Sequence, residues 1–437
     1  MPRSPQDTGS PFERATCSRR AERLSSDTKK LFLSQALRAF AYGFGALLLG
    51  TTLHSRGASP TEVGILLGAV AGGGVLVTVA VARFADRAGR RRCYMLLYIT
   101  LAGAGAAFAF TDALWILVLI SLTGTLSADN VDSGPFTSLE QAMLGTALEG
   151  QSRIRAFSLY NSVAGIFGSI GALGVAGPSL LRSATAHAPT DQRYFLVFVP
   201  VGFAGAWLAR SLSERVEFPR PEVGGKAAGR PAPVGLGRSK GAVVRLSALF
   251  AVDSFAGGFV LPAFITYWLA AKYSAPATSL GLIFFVLGLL QTVSYLVAAR
   301  LAERFGLLRT MVFSHLPAHA FVIAVAFAPN LWIAGVLLFA RALLSKMDVP
   351  TRQAYVMELV DPAERTAAAG YTNAARFTVR PLAPVLAGAS QGIAFGLPFV
   401  IAGVVKTGYD LALWGWFRRV PLPGDDDKAA PGTTLNS

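Results

Sequence analysis

Charge is scarce in this sequence. Asp, Glu, Lys and Arg together make up 15% of 437 residues, against about 25% in soluble domains. Apolar side chains reach 53% and mean hydropathy is +0.48, so the polar surface that would coat a water-soluble globule of this size is missing. Cys17 and Cys93 are the two cysteines, too few for a disulfide framework or a cysteine-built metal set. Neither G-x-x-x-x-G-K-[ST] nor a strand-flanked G-x-G-x-x-G occurs, which removes support for ATP-driven chemistry. No clustered nucleophile, acid/base pair or metal set stands out, so neither an enzyme nor a cofactor is expected. The first 30 residues are polar, carry seven Lys/Arg and contain no apolar core, the opposite of a cleavable signal peptide.

What the chain has instead is long apolar runs. They fall near 31–53, 62–83, 93–111, 113–143, 156–181 and 194–209, then 246–270, 279–300, 310–328, 331–358, 367–395 and 397–417. Twelve membrane spans of about 20 residues each predict an all-α, multi-pass membrane protein. Residues 1–30 read as a basic tail, 31–209 as one six-helix bundle, 246–418 as a second, and 419–437 as a polar tail. The Pro-, Gly- and Arg-rich stretch at 210–245 reads as a flexible linker between the bundles. The net charge of +15 would suggest nucleic acid in a soluble protein, but here the basic residues sit between the apolar runs. The N-terminal tail, the 83–92 loop and the linker hold seven, five and eight Lys/Arg, while the other side shows Arg56, Arg182, Arg193 and Lys272. The positive-inside rule then predicts cytoplasmic termini in a plasma membrane, with no nucleic-acid partner.

The two halves repeat each other. ARFADRAGRRR (82–92) recurs as ARLAERFGLLR (299–309), with six of eleven positions identical. RAFAYGF (38–44) parallels DSFAGGF (253–259), and Leu114-Trp115-Ile116 parallels Leu331-Trp332-Ile333. Glu140-Gln141-Ala142, Arg153 and Asn161 parallel Arg352-Gln353-Ala354, Arg365 and Asn373 at a constant offset of 212.

The 82–92 loop resembles the one after the second span of the major facilitator superfamily, G-x-L-x-D-R-x-G-R-[KR]-[KR]. Ala82 and Ala299 stand where that family usually has glycine, and Phe84 for its leucine. The string MDVPTRQAYVMELVDPAERTAAAG (347–370) is similar to one in bacterial permeases of that type. The resemblance covers roughly 31–418 and implies 12 transmembrane helices in two pseudo-symmetric six-helix bundles. It also implies that Asp86, with Arg87, Gly89 and Arg90, docks on the start of the eleventh span to close the cytoplasmic side. Glu303, Arg304 and Gly306 would do the same on the fifth. The alternative is a basic loop that only sets topology.

Charges inside spans are costly and usually face a cavity or a partner. Arg38 and Asp253 lie about eight residues into the first and seventh spans, roughly 12 Å deep. These spans line the central cavity in the superfamily, so the two are expected to face one another or share the solute route. A static pair is the alternative. Glu140-Gln141 and Arg352-Gln353 form a second symmetric set, a gate or a clasp, with Pro135 and Pro350 bending their helices. Arg376 and Arg380 share one helix face. With Arg341, Lys346 and Arg38 they outnumber Asp253 and Asp348, an excess that would suit an anionic solute unless carbonyls and acids neutralise it. Lys406 and Asp410, also at i, i+4, read as a structural ion pair. Gly64, Gly68 and Gly72 allow close helix packing. In the fifth span glycine recurs every third residue from Gly165 to Gly177, ahead of Pro178. The superfamily's antiporters carry a glycine-rich Gly-Pro motif in this span, but here the Gly-Pro falls at its far end. His315 and His319 lie on a span expected to be peripheral, and no metal site is expected.

The function implied by the resemblance is secondary transport of a small solute by alternating access in a monomer. Proton-coupled efflux of a drug-like or toxic compound is the leading reading. Metabolite uptake by symport is the alternative of the same class, and a non-transporting sensor on the same scaffold is the rival from another.

Overall fold

The computed structural model describes residues 25–128, 134–147, 150–184, 191–217, 236–237, 239–361 and 364–419, all helical or irregular with no strand among them. Eight helical stretches are long and apolar enough to cross a bilayer. The remaining crossings are interrupted helices. In lipid the backbone must satisfy its own hydrogen bonds, so breaks are tolerated only where protein or a cavity surrounds them.

In the first half, α1 (Ser26–Ser55), α2 (Pro60–Ala88) and α3 (Arg90–Phe110) are continuous. The fourth span is split into α4 (Leu114–Ser121) and α5 (Pro135–Ala147). The fifth span is α6 (Gly150–Gly174) followed by α7 (Gly177–Ala184), and the sixth is a 3-10 turn (Asp191–Val197) running into α8 (Phe198–Arg210). In the second half, α9 (Lys240–Gly258) and α10 (Pro262–Tyr273) make the seventh span; α11 (Ala277–Phe305) and α12 (Leu307–Ala326) are unbroken. The tenth span is α13 (Leu331–Ser345) with α14 (Asp348–Leu359). The eleventh is α15 (Arg365–Val379) with α16 (Leu382–Ile393), and α17 (Leu397–Phe417) is the last.

Local chemistry explains the punctuation. Proline opens α5, α10 and, one residue ahead, α16, because it lacks the N–H that a continuing helix would use. Pro350 lies in the first turn of α14, so the bend expected there falls just before it, at 346–347. Ser59 and Glu62 form a reciprocal capping box at the start of α2. Gly89 and Gly306 take φ of +96° and +86° at the α2–α3 and α11–α12 turns, a conformation that favours glycine. The duplicated loops therefore turn in the same way.

The halves meet through small residues. With twelve crossings both chain ends share one face, and the seam is closed toward the other. A Cβ on Gly50 of α1 would come within 2.5 Å of the Ala263 carbonyl oxygen of α10, and one on Gly64 of α2 equally close to the Pro384 oxygen of α16. A Cβ on Gly388 would overlap the Pro60 carbonyl oxygen. The Tyr267 hydroxyl donates to the Ala58 carbonyl at 2.8 Å. All of these lie in the half of the molecule remote from the chain ends. Nearer the ends the halves part around a cavity of about 520 Å³. The halves are closed together on the far face, and the cavity lies on the side of that seam nearer the described chain ends.

A side chain at Gly388 should wedge this seam. In a background with Cys17→Ser and Cys93→Ser, a cysteine at the buried, cavity-lining Ile265 should resist a membrane-impermeant maleimide applied to the far face. Adding Gly388→Val should make it reactive; unchanged protection would contradict the seam as the far-side closure.

Candidate functional site

Two buried ion-pair clusters, one per half, flank the cavity. In the first half Arg38 of α1 donates to the Glu140 carboxylate of α5 at 2.5 Å. Tyr94 of α3 and Tyr160 of α6 also donate to Glu140, Gln35 accepts from Arg38, and the guanidinium lies 5.0 Å from the Phe136 ring centroid. Arg38 is 1% exposed and Glu140 0%, so the pair is sealed behind aromatic rings and does not reach the cavity.

The second half repeats the arrangement with the signs exchanged. Asp253 of α9, equivalent to Arg38, accepts from Arg352 of α14, equivalent to Glu140, at 3.3 Å. Arg352 also donates to Asp348 at 2.7 Å, and Lys406 of α17 donates to the other oxygen of Asp253. His315 of α12 meets Asp348 at 3.2 Å, and His319 meets Asp410 of α17 at 2.7 Å. The ligand atoms of His315, His319 and Asp410 fall within 4.8 Å of one another. Of the three, His319 and Asp410 are hydrogen-bonded, while His315 Nδ1 and the other oxygen of Asp410 lie 3.8 Å apart, each without a hydrogen-bond partner among the described residues.

Unlike its counterpart, this cluster opens on the cavity. Asp253, His315, His319, Asp348, Arg352 and Lys406 all line it, with Arg341, Lys346, Arg376 and Arg380 around them. The facing wall from the first half is uncharged where it is described: Thr137, Ser138, Gln141 and Asn161. The pseudo-symmetric mates Gln353 and Asn373 lie on the charged side, so the duplication sets two amide pairs across one space.

Several expectations change. Arg38 and Asp253 do not face one another; each is neutralised inside its own half, because a nearer partner on the fourth or tenth span satisfies it. Glu140 and Arg352 act as those partners, not as a gate at the helix ends. Lys406 and Asp410 are not paired with each other, since Lys406 reaches across to Asp253 and Asp410 takes His319. The ninth span is not peripheral to the chemistry, for both its histidines are buried in the cluster.

In the 82–92 loop the side chain of Asp86 lies outside the described residues. Arg87 is exposed, while Arg90 is buried. The N–H groups of Arg90 and Arg91 at the start of α3 donate to Glu217 at 2.7 and 3.1 Å. A carboxylate does occupy a helix N-terminus here, but it is Glu217 on α3. Glu364 does the same for the backbone of Gly237 and Ser239, leading into α9. Glu303, Arg304 and Gly306 are exposed. Nothing in the sequence marks Glu217 or Glu364, because their partners are backbone groups.

The sequence profile of the Major Facilitator Superfamily matches residues 31–252 and 246–435. An uncharacterized membrane protein of Saccharomyces cerevisiae, YJR124C, is 25% identical over 432 residues, covering 91% of this chain and 95% of that one. Among solved structures, a D-xylose-proton symporter superposes with a TM-score of 0.68 at 14% identity, covering 89% of this chain and 98% of that one. An inward-facing, occupied bacterial homologue of the human lysosomal transporter Spinster gives 0.66 at 17% identity, covering 97% and 100%. With both repeats matched by the profile and the two-bundle architecture in place, the chain belongs to the Major Facilitator Superfamily.

Proposed function

We propose that this transporter moves a small polar solute across the plasma membrane by alternating access, as a monomer coupled to protons. The observation that carries the reading is the cavity between the lobes, sealed at the far face by backbone-to-backbone glycine contacts and walled on one side by ionisable groups. Rocking the lobes about that site would exchange its exposure. The basic loops support cytoplasmic termini, so the cavity is open to the cytoplasm.

Proton coupling draws on the second-half cluster. Asp253 cannot be separated from its partners by lobe rocking, because Arg352 and Lys406 sit in the same lobe. Its protonation would instead respond to a solute that draws those cations away. A solute and a proton would then occupy one conformer together, the logic of symport, and the D-xylose-proton symporter shares the fold. Export of a drug-like compound, the leading expectation from sequence, retains one supporting observation: an inward-open cavity is where an exporter loads. The polar walls favour a polar cargo over an apolar one.

In proteoliposomes with an imposed pH gradient, wild-type flux of the transported member of a radiolabelled solute panel should follow the gradient. Asp253→Asn should keep solute counterflow but lose the gradient response; an intact response removes Asp253 from coupling. If the wild type moves no solute, the sensor reading takes over.

Rocking also needs rigid lobes, which assigns the sealed Arg38–Glu140 pair a structural role. Breaking such a pair leaves a buried uncompensated charge, at about 3–5 kcal/mol. Arg38→Met and Glu140→Leu should each lower the unfolding temperature in detergent, and the double variant should lose less than the sum. Additive losses would count against the pair acting as one unit.

A further inference from the structure

We propose that Arg376 forms the centre of an oxyanion subsite in the cavity, and that the transported solute is a small organic anion carrying a carboxylate or phosphate group. The inference rests on the transport reading above and adds the chemical class of the cargo.

The charges on the second-half wall can be assigned one by one. Asp253 and Asp348 are shared by two fixed cations, Arg352 and Lys406, with His315 on the outer oxygen of Asp348. Asp410 is hydrogen-bonded to His319 through one oxygen and has His315 at 3.8 Å from the other. No acid remains for Arg376. Among the described residues it makes no hydrogen bond or ion pair, and its Nε is buried without a partner. Of the charges that act on it, Arg352 and Arg380 are of like sign, and Asp253 and Asp348 are already engaged. The ammonium of Lys346, on the same cavity, likewise has no hydrogen-bond or ion-pair partner among the described residues.

An unpaired charge at this depth is costly, and something must keep Arg376 tolerable between cargoes. Arg376 lies in the last turn of α15, where a helix end carries roughly half a negative charge. That partial charge eases the guanidinium without satisfying its N–H groups, which stay available to a guest. A planar guanidinium matches a carboxylate or phosphate through two parallel hydrogen bonds. The amides of Gln141 and Asn161 on the facing wall can hold the rest of the molecule. The volume of about 520 Å³ falls in the range of small-molecule sites, about 300–1,000 Å³.

Matched pairs isolate the charge: benzoate with benzamide, glucose 6-phosphate with glucose, and uridine monophosphate with uridine. Each is added to the purified full chain in detergent at ionic strength held constant with chloride. Binding is read from the rise in unfolding temperature. The anionic member of at least one pair should stabilise the protein and its neutral mate should not. Arg376→Gln should weaken that binding roughly tenfold to a hundredfold, and Arg376→Lys by less. Both variants should elute as a single species with wild-type helix content, and if Arg376→Gln does not, the partial loss in Arg376→Lys carries the test. The proposal is overturned if no oxyanion stabilises beyond chloride, if neutral mates do as well, or if wild-type affinity survives in the variants. Flux of neutral solutes with no anion effect removes this inference and leaves transport intact. Anion binding without flux of any solute removes the transport reading alone.

Discussion

An ionised side chain buried within a membrane must be neutralised by a neighbour, and this constraint organises both halves of the molecule. At the equivalent positions 38 and 253, and at 140 and 352, the duplicated scaffold brings two side chains together. Opposite charge is all the geometry requires, so either order satisfies it. One half places arginine on its first helix and the acid on its fourth; the other reverses them. The exchange indicates that the pairing constraint was kept while the residues filling it changed.

The copies then part company. Tyrosine hydroxyls saturate the Glu140 carboxylate, and rings close over Arg38, leaving a finished, dry unit. In the second half the partners around the pair are themselves ionisable: Asp348, Lys406 and two histidines. A cluster of that kind cannot be sealed as cheaply, and it lies open to the cavity. One lobe seals its pair in the interior, while the other exposes its pair to the cavity.

Much of this was legible in the chain. Apolar runs placed the spans, the constant offset revealed the duplication, and the rarity of intramembrane charge singled out Arg38, Glu140, Asp253, Arg352 and Arg376. The partners were not legible. Spacing shows which residues share a helix face, and on that ground Lys406 and Asp410 looked paired. Choice of partner depends on which other helix passes closest, and α9 and α12 each offered a better one. Helix breaks at 122–128, 259–261, 346–347 and 380–381 were hidden for a related reason. An apolar run reads the same whether it is one helix or two, and the proline near each break does not by itself say whether the helix stops or only bends.

The seam and the cavity wall solve different problems, and their separation bears on how the molecule moves. The far-side seam is built from glycine backbone and carbonyl oxygens at van der Waals distance, without interlobe ion pairs among the described residues. Such a contact can part without leaving a charge stranded. The ionic network, by contrast, lies within the second lobe and travels with it intact. Under the proposed mechanism, rocking would change the distance between a charged wall and a wall that is uncharged among the described residues. A solute bridging the two would be gripped by both only in the closed intermediate, where it replaces the water that each wall otherwise needs. With all the described fixed charge on one wall, such a cargo, and not a standing salt bridge, would hold the lobes together under the proposed mechanism.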